Sequence, residues 1–188
     1  MANEQLAPLW FPHPTLRDYW ESGKHRSEGA TQPWVQALLY HLVRALGIRH
    51  VAELGCYLGS TSAWLALAIE ANCAGEPTTG SLTLVDVGNG MVDGVRSRVS
   101  AVSTTPLIGF HGRSLEFLPG LYTETRFVYL DDDKADVSAK LALIAQRAPG
   151  CLVAIHDAET LGAQLPTNAL LLDTAPLFGS EKLALVKV

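Results

Sequence analysis

Val51-Ala-Glu-Leu-Gly-Cys-Tyr-Leu-Gly-Ser60 carries an apolar strand into an acidic residue, two glycines four apart and the start of a helix. A strand, a glycine turn and a helix N-terminus form a corner where backbone N–H groups and a short carboxylate meet a polar ligand. The stretch therefore predicts the first βα unit of an α/β fold and places a ligand at its turn. Its glycines follow E-x-G-x-x-x-G, unlike the G-x-G-x-x-G of dinucleotide sites, and it lacks the G-K-[ST] ending of a P-loop. A carboxylate at the strand end repels a pyrophosphate but suits a cationic amino-acid end, such as the ammonium of S-adenosylmethionine. Glu53 is the expected contact for that group, with Gly55, Tyr57, Gly59 and Ser60 around the same ligand.

Upstream, residues 31–47 show helical spacing through Val35, Leu38, Leu39, Leu42, Val43 and Leu46, with Pro33 in the first turn and Gly47 as the stop. Residues 49–54 follow as the first strand, and Ser60–Asn72 as the helix after the glycine turn. Residues 81–87 (SLTLVDV) read as the second strand, ending in Asp86, with a helix over 91–102. Short strands follow at 107–110, 127–130 and 151–155. A helix over 134–147 starts after an acidic cluster, as the macrodipole favours, and stops at Pro149-Gly150. Residues 169–173 and 183–188 read as closing strands joined by a Pro/Gly turn region. Strands alternating with helices predict an α/β fold with a doubly wound, mainly parallel seven-stranded sheet, in one domain over residues 31–188. Residues 1–30 hold Trp10, Phe11, Tyr19 and Trp20 among prolines and charges. They are expected to form an aromatic lid over the pocket, or an arm on the core or on a partner subunit.

A chain of 188 residues, 48% hydrophobic, builds one substantial core without disulfide or metal staples. Its formal charge of −5 is modest and no Lys/Arg stripe occurs, which argues against a nucleic-acid partner. The start, MANEQLAPLWFPHP, has an acidic residue and prolines where a signal peptide has a basic start and an apolar run. No apolar stretch approaches the ~20 residues that span a bilayer. The chain reads as soluble and cytoplasmic, with no membrane partner. Cys56, Cys73 and Cys151 form no C-x-x-C pair, so Cys73 and Cys151 read as small buried hydrophobes and Cys56 as a neighbour of the ligand turn.

In open α/β sheets ligands bind outside the carboxyl ends of the strands. Glu53, Asp86, His111, Asp131 and the His156-Asp157 pair end successive strands and should converge there. Asp86 lies about one βα unit beyond the glycine turn, where a carboxylate accepts both hydroxyls of a ribose. Val87 and Gly88 then flank the adenosine.

VAELGCYLGSTSAWLA resembles the first motif of the class I S-adenosylmethionine-dependent methyltransferases, and TLVDV resembles their acidic ribose motif. HGRSLEFLP is similar to their segment beside the adenine, which implies that Arg113 and Ser114 lie there. Ser114 also reads as a cap of the next helix. Within the superfamily, LDDDK resembles the D-x-D-K of the small cation-dependent O-methyltransferases of the catechol and caffeoyl-coenzyme A type. IHD resembles a related group whose fifth strand ends in His-Asp. The resemblance implies a divalent metal such as Mg²⁺ held by Asp131 and Asp157, with Ala158 where those enzymes carry Asn. Asp132, Asp133 or Glu159 stand near enough in sequence to compensate, and Asp132 and Asp133 also read as a helix N-cap. The resemblance further implies a homodimer and a small-molecule acceptor.

Methyl transfer from a sulfonium is an in-line displacement, which for a hydroxyl acceptor also needs a base. His156 is the best base by type, and Lys134 the second candidate. Asp131 and Asp157 are expected beside the acceptor, Asp131 touching the cofactor as well. His13, His25 and His41 form no metal-spaced cluster and read as surface or lid residues. The expected function is methyl transfer from S-adenosylmethionine to a small molecule, with a hydroxyl oxygen as acceptor. The alternative is a protein of this fold that binds the nucleoside or a protein partner without methyl transfer. An NAD oxidoreductase is disfavoured by the glycine spacing and by the lack of a Tyr-x-x-x-Lys pair.

Overall fold

Pro33, whose fixed φ suits a first helical turn, opens helix α1 (Pro33–Ala45), which buries Trp34, Val35, Leu39 and Val43 along one face. The structure is a computed structural model that describes residues 31–74, 76, 79–173 and 182–188. The proposed lid of residues 1–30, with His13 and His25, and the turn region of residues 174–181 lie outside the described residues.

After α1 the chain alternates: β1 (His50–Leu54), α2 (Ser60–Asn72), β2 (Ser81–Asp86), α3 (Met91–Ser100), β3 (Leu107–His111), α4 (Ser114–Phe117), β4 (Phe127–Leu130), α5 (Val137–Arg147), β5 (Leu152–Ile155), β6 (Leu170–Asp173) and β7 (Lys182–Lys187). The strands form one sheet in the order β3-β2-β1-β4-β5-β7-β6. All neighbouring pairs are parallel except those of β7, which runs antiparallel to both β5 and β6. The expected seven-stranded, mainly parallel sheet is therefore present. Its order reverses beside β1, and this switch point opens a crevice at the strand carboxyl ends.

Helices cover both faces, and the period-2 alternation of each strand divides the core accordingly. On β4, Phe127 and Tyr129 join the layer containing Leu39, Trp64 and Ile69. Val128 and Leu130 join the opposite layer with Leu118, Leu121 and Ile144. Helix α2 is buried on nearly every side from Ser60 to Ile69, because STSAWLALAI offers small and apolar residues all round.

Several element boundaries shift by one to three residues from the sequence expectation. The helix expected from residue 134 begins at Val137, because Asp136 takes a left-handed conformation (φ 59°) as its N-cap. The helix expected to reach residue 102 ends at Ser100. His41 is exposed on α1, whereas all three cysteines are free and buried. Burial pushes the Cys151 thiol up to about 12, which leaves it inert at neutral pH. Cys56 is likewise raised by burial and then by Glu53 and Asp86.

The turn after β1 requires its first glycine. Gly55 has φ +90°, and a Cβ there would lie 2.6 Å from the Asp131 carbonyl oxygen and 2.8 Å from the Asp132 nitrogen. Gly55→Ala is expected to cost about 2–4 kcal/mol through combined backbone strain and overlap with rigid backbone. Denaturant unfolding checks this, and a variant as stable as the wild type would contradict the tight approach of β4.

Candidate functional site

The carboxyl ends of β1, β2 and β4 and the loop before α4 enclose a cleft of about 720 Å³. Gly55, Tyr57, Asp86 and Val87 form one part of its wall, and Arg113, Ser114 and Asp131 another. Asp86 is fixed by backbone donors: its Oδ2 accepts the Tyr57 N–H at 2.9 Å and its Oδ1 the Gly88 N–H at 2.7 Å. Tyr57 adopts φ +42° to present that N–H, a strained turn conformation of the kind found beside ligands. Each Asp86 oxygen retains capacity for a second donor.

At the end of β4, Asp131 gathers four side chains. Its Oδ1 lies 2.7 Å from His156 Nδ1 and 3.7 Å from Lys134 Nζ. Its Oδ2 accepts the Thr31 hydroxyl at 3.0 Å and the Tyr129 hydroxyl at 3.2 Å. Burial, then the Asp131 charge, pushes the Tyr129 phenol well above its ordinary value, so it stays a neutral donor. His156 is buried, and its Nδ1 also lies 3.6 Å from Asp157 Oδ2. Asp157, two residues beyond the end of β5, takes φ +50°, and burial raises its carboxyl while His156 and Lys134 pull it down.

Asp131, His156 and Asp157 each offer a ligand atom, all within 4.8 Å of one another. This set fits one divalent cation. The Thr31 and Tyr129 bonds to Oδ2 are the outer-shell support that a ligating carboxylate takes. Its imidazole nitrogen departs from the oxygen ligands that Mg²⁺ prefers and suits Mn²⁺, Fe²⁺ or Zn²⁺ better. Ala158, 2% exposed, supplies no side-chain donor at the position expected to carry Asn.

No family model matches the chain, and no curated protein matches it in sequence. Solved structures do match. The O-methyltransferase TomG from Streptomyces achromogenes, involved in tomaymycin synthesis and solved with S-adenosylmethionine, is 20% identical, with 94% of this chain and 91% of TomG covered and a TM-score of 0.68. An O-methyltransferase from Bacillus cereus in complex with S-adenosylhomocysteine is 17% identical, with 99% and 97% covered and a TM-score of 0.71. A methyltransferase from Geobacter sulfurreducens is 16% identical, with 93% and 89% covered and a TM-score of 0.70. The chain has the methyltransferase fold.

Within this methyltransferase fold the expected site residues divide into two sets. Gly55, Tyr57, Asp86, Val87, Arg113, Ser114 and Asp131 line the cleft. Asp131 joins it to His156 and Asp157. Glu53, Gly59 and Ser60 instead shape the turn from behind. Glu53 is 1% exposed and takes the Ser62 hydroxyl at 2.5 Å, so the expected ammonium contact is not what its position offers. A Cβ on Gly59 would meet Val95 at 2.7 Å, and Ser60 accepts a bond from Gln36 at 3.0 Å. His111 lies half-exposed, 3.7 Å from Asp93. No described residue forms a helix long and apolar enough to cross a membrane.

Two capping expectations are corrected. Asp133 accepts the Ala135 N–H at 2.9 Å, but Asp136 is the cap of α5. Arg113, not Ser114, holds the N-cap position of α4, and the Ser114 hydroxyl donates to Asp132. Asp132 in turn binds Lys140, which the sequence reading passed over. A signal existed, because Lys140 falls on the i, i+3, i+4, i+7 stripe of buried Val137, Leu141 and Ile144. Thr31 left no local signal, since its contacts span about a hundred residues, whereas Tyr129 stands two residues before Asp131 on the same strand face.

Glu53 offers a pH test. Burial raises its pKa well above the ordinary 4.5, outweighing the opposing Ser62 bond. A carboxyl raised on folding contributes stability fully below its unfolded pKa and loses it as pH rises toward the folded value. Glu53→Gln, which still accepts from Ser62, should therefore gain in melting temperature over the wild type from about pH 5 to about pH 8. A difference independent of pH would show that Glu53 titrates normally.

Proposed function

We propose that the chain is a methyltransferase that moves the methyl group of S-adenosylmethionine to a hydroxyl oxygen of a small molecule. The observation that carries this reading is the single cleft in which a backbone-braced Asp86 shares the wall with Asp131, itself paired to His156 at 2.7 Å. Asp86 accepts the two ribose hydroxyls, as an acceptor-only carboxylate at the end of β2 is suited to do. Tyr57 and Val87 flank the nucleoside, and Arg113 and Ser114 border the purine.

With Nδ1–H donated to Asp131, the imidazole of His156 is held in the tautomer whose Nε2 is basic. His156 takes the acceptor proton as the oxygen–methyl bond forms and the sulfur–methyl bond breaks. Asp131 stabilises the resulting imidazolium, and Thr31 and Tyr129 keep that carboxylate oriented. Lys134 Nζ, bonded to the Asp132 carbonyl at 3.0 Å, places a cation beside the same carboxylate. With a divalent cation held by Asp131, His156 and Asp157, His156 would be a ligand rather than the base, and the cation would supply Lewis acidity that lowers the pKa of the acceptor hydroxyl.

Calorimetric titration with S-adenosylmethionine and S-adenosylhomocysteine, each with and without Mg²⁺ and Mn²⁺, tests the reading. Micromolar binding, about −8 kcal/mol, is expected. A folded protein that binds neither compound would overturn it. Binding without S-adenosylhomocysteine release across phenol, sugar and other hydroxyl acceptors would instead favour nucleoside binding without transfer.

A further inference from the structure

We propose that Asp132, clamped by Lys140 and Ser114, selects the purine of the cofactor by accepting a hydrogen bond from its 6-amino group. This rests on the methyltransferase reading and names the group that makes the site specific for adenine. The starting point is a lysine in the wrong environment. The Lys140 side chain is 4% exposed on the apolar stripe of α5, where an ammonium is costly unless paired and fully bonded. It is fully bonded: Nζ lies 2.9 Å from Asp132 Oδ1 and 3.0 Å from Oδ2, and it also donates to the Asp133 carbonyl. The Ser114 hydroxyl adds another bond to Oδ2.

This arrangement fixes a carboxylate rather than presenting a cation. Lys140 also borders the cleft, but its side chain is only 4% exposed, whereas that of Asp132 is 18% exposed there. Oδ2 takes two donors, whereas Oδ1 takes Lys140 alone and keeps room for another. Asp132 shares the cleft wall with Gly112, Arg113 and Ser114, the loop assigned above to the purine. An ionised carboxylate only accepts, so the ligand edge it meets must donate. A 6-aminopurine presents an N–H there, whereas a 6-oxopurine presents lone pairs and is repelled. Bonds from Lys140 and Ser114 stop the carboxylate from rotating away to tolerate the wrong edge.

The test compares S-adenosylhomocysteine with its 6-oxo analogue, S-inosylhomocysteine, by titration calorimetry. Three proteins are used: the wild type, Asp132→Asn, and the double variant Asp132→Asn/Lys140→Met. The double variant removes both charges, so no unpaired ammonium is left buried. The wild type is expected to prefer the amino compound by about tenfold to a hundredfold, the range of one hydrogen bond to a charged group. Both variants should bring the two ligands to within about threefold of each other, because an amide turns to donate or accept. A folded variant that keeps the wild-type preference overturns the inference, as does a wild type that binds both ligands equally. The latter result would leave the methyltransferase reading standing. Binding of neither ligand by the wild type would remove both.

Discussion

Asp86→Ala will weaken S-adenosylhomocysteine binding by about a hundredfold or more, because two charge-assisted hydrogen bonds of about 1.5–3 kcal/mol each disappear together. The loss reaches beyond the ligand. Asp86 also accepts the N–H groups of Tyr57 and Gly88, so its removal releases the glycine turn from β2. Asp86→Asn separates the two effects: it keeps one carbonyl oxygen and the side-chain volume but loses the charge, and should cost about tenfold. Calorimetry on each variant reads the affinities, and thermal unfolding confirms that each is folded. Unchanged affinity in a folded Asp86→Ala protein would take the ribose away from the end of β2.

His156→Ala should lower the rate of methyl transfer by about a hundredfold to ten-thousandfold at saturating cofactor, the usual contribution of a positioned base. Cofactor affinity should change little, because His156 is buried against Asp131 and Tyr129 and is absent from the cleft wall beside Asp86. Asp131→Asn should lower the rate as well, since the amide no longer favours the Nδ1–H tautomer or stabilises an imidazolium. Release of S-adenosylhomocysteine in single turnovers measures both. If His156→Ala keeps the wild-type rate while Lys134→Met loses it, the proton goes to Lys134 instead.

Much of the architecture is legible in local pattern. Continuous apolar runs such as Phe127–Leu130 read as strands buried on both faces, and the structure divides their side chains between two core layers. Gly55 and Gly59 mark a turn that only positive φ allows. Asp86, Asp131 and Asp157 stand at or just beyond strand ends, and a parallel sheet brings strand ends to one edge whatever lies between them. Helix starts were less legible. The acidic run 131–133 reads as a cap, but the carboxylates are taken up by Lys140, Ser114, His156 and local backbone before α5 begins at Val137.

The sequence by itself determined the α/β class, the parallel sheet, the glycine turn and the set of strand-end carboxylates, because each depends on spacing within a few residues. Only the tertiary structure decided which of those groups face the cleft. Glu53 looks like a ligand contact in sequence, yet it is sealed beneath the turn against Ser62, since side chains alternate across a strand and its face points into the core. Lys140 falls on the buried stripe of α5 in sequence, but only the folded chain shows that it anchors Asp132. Thr31 reaches Tyr129 and Asp131 through contacts that span about a hundred residues and exist only in the folded chain. Pairing between residues distant in sequence arises from packing, and no local spacing encodes it.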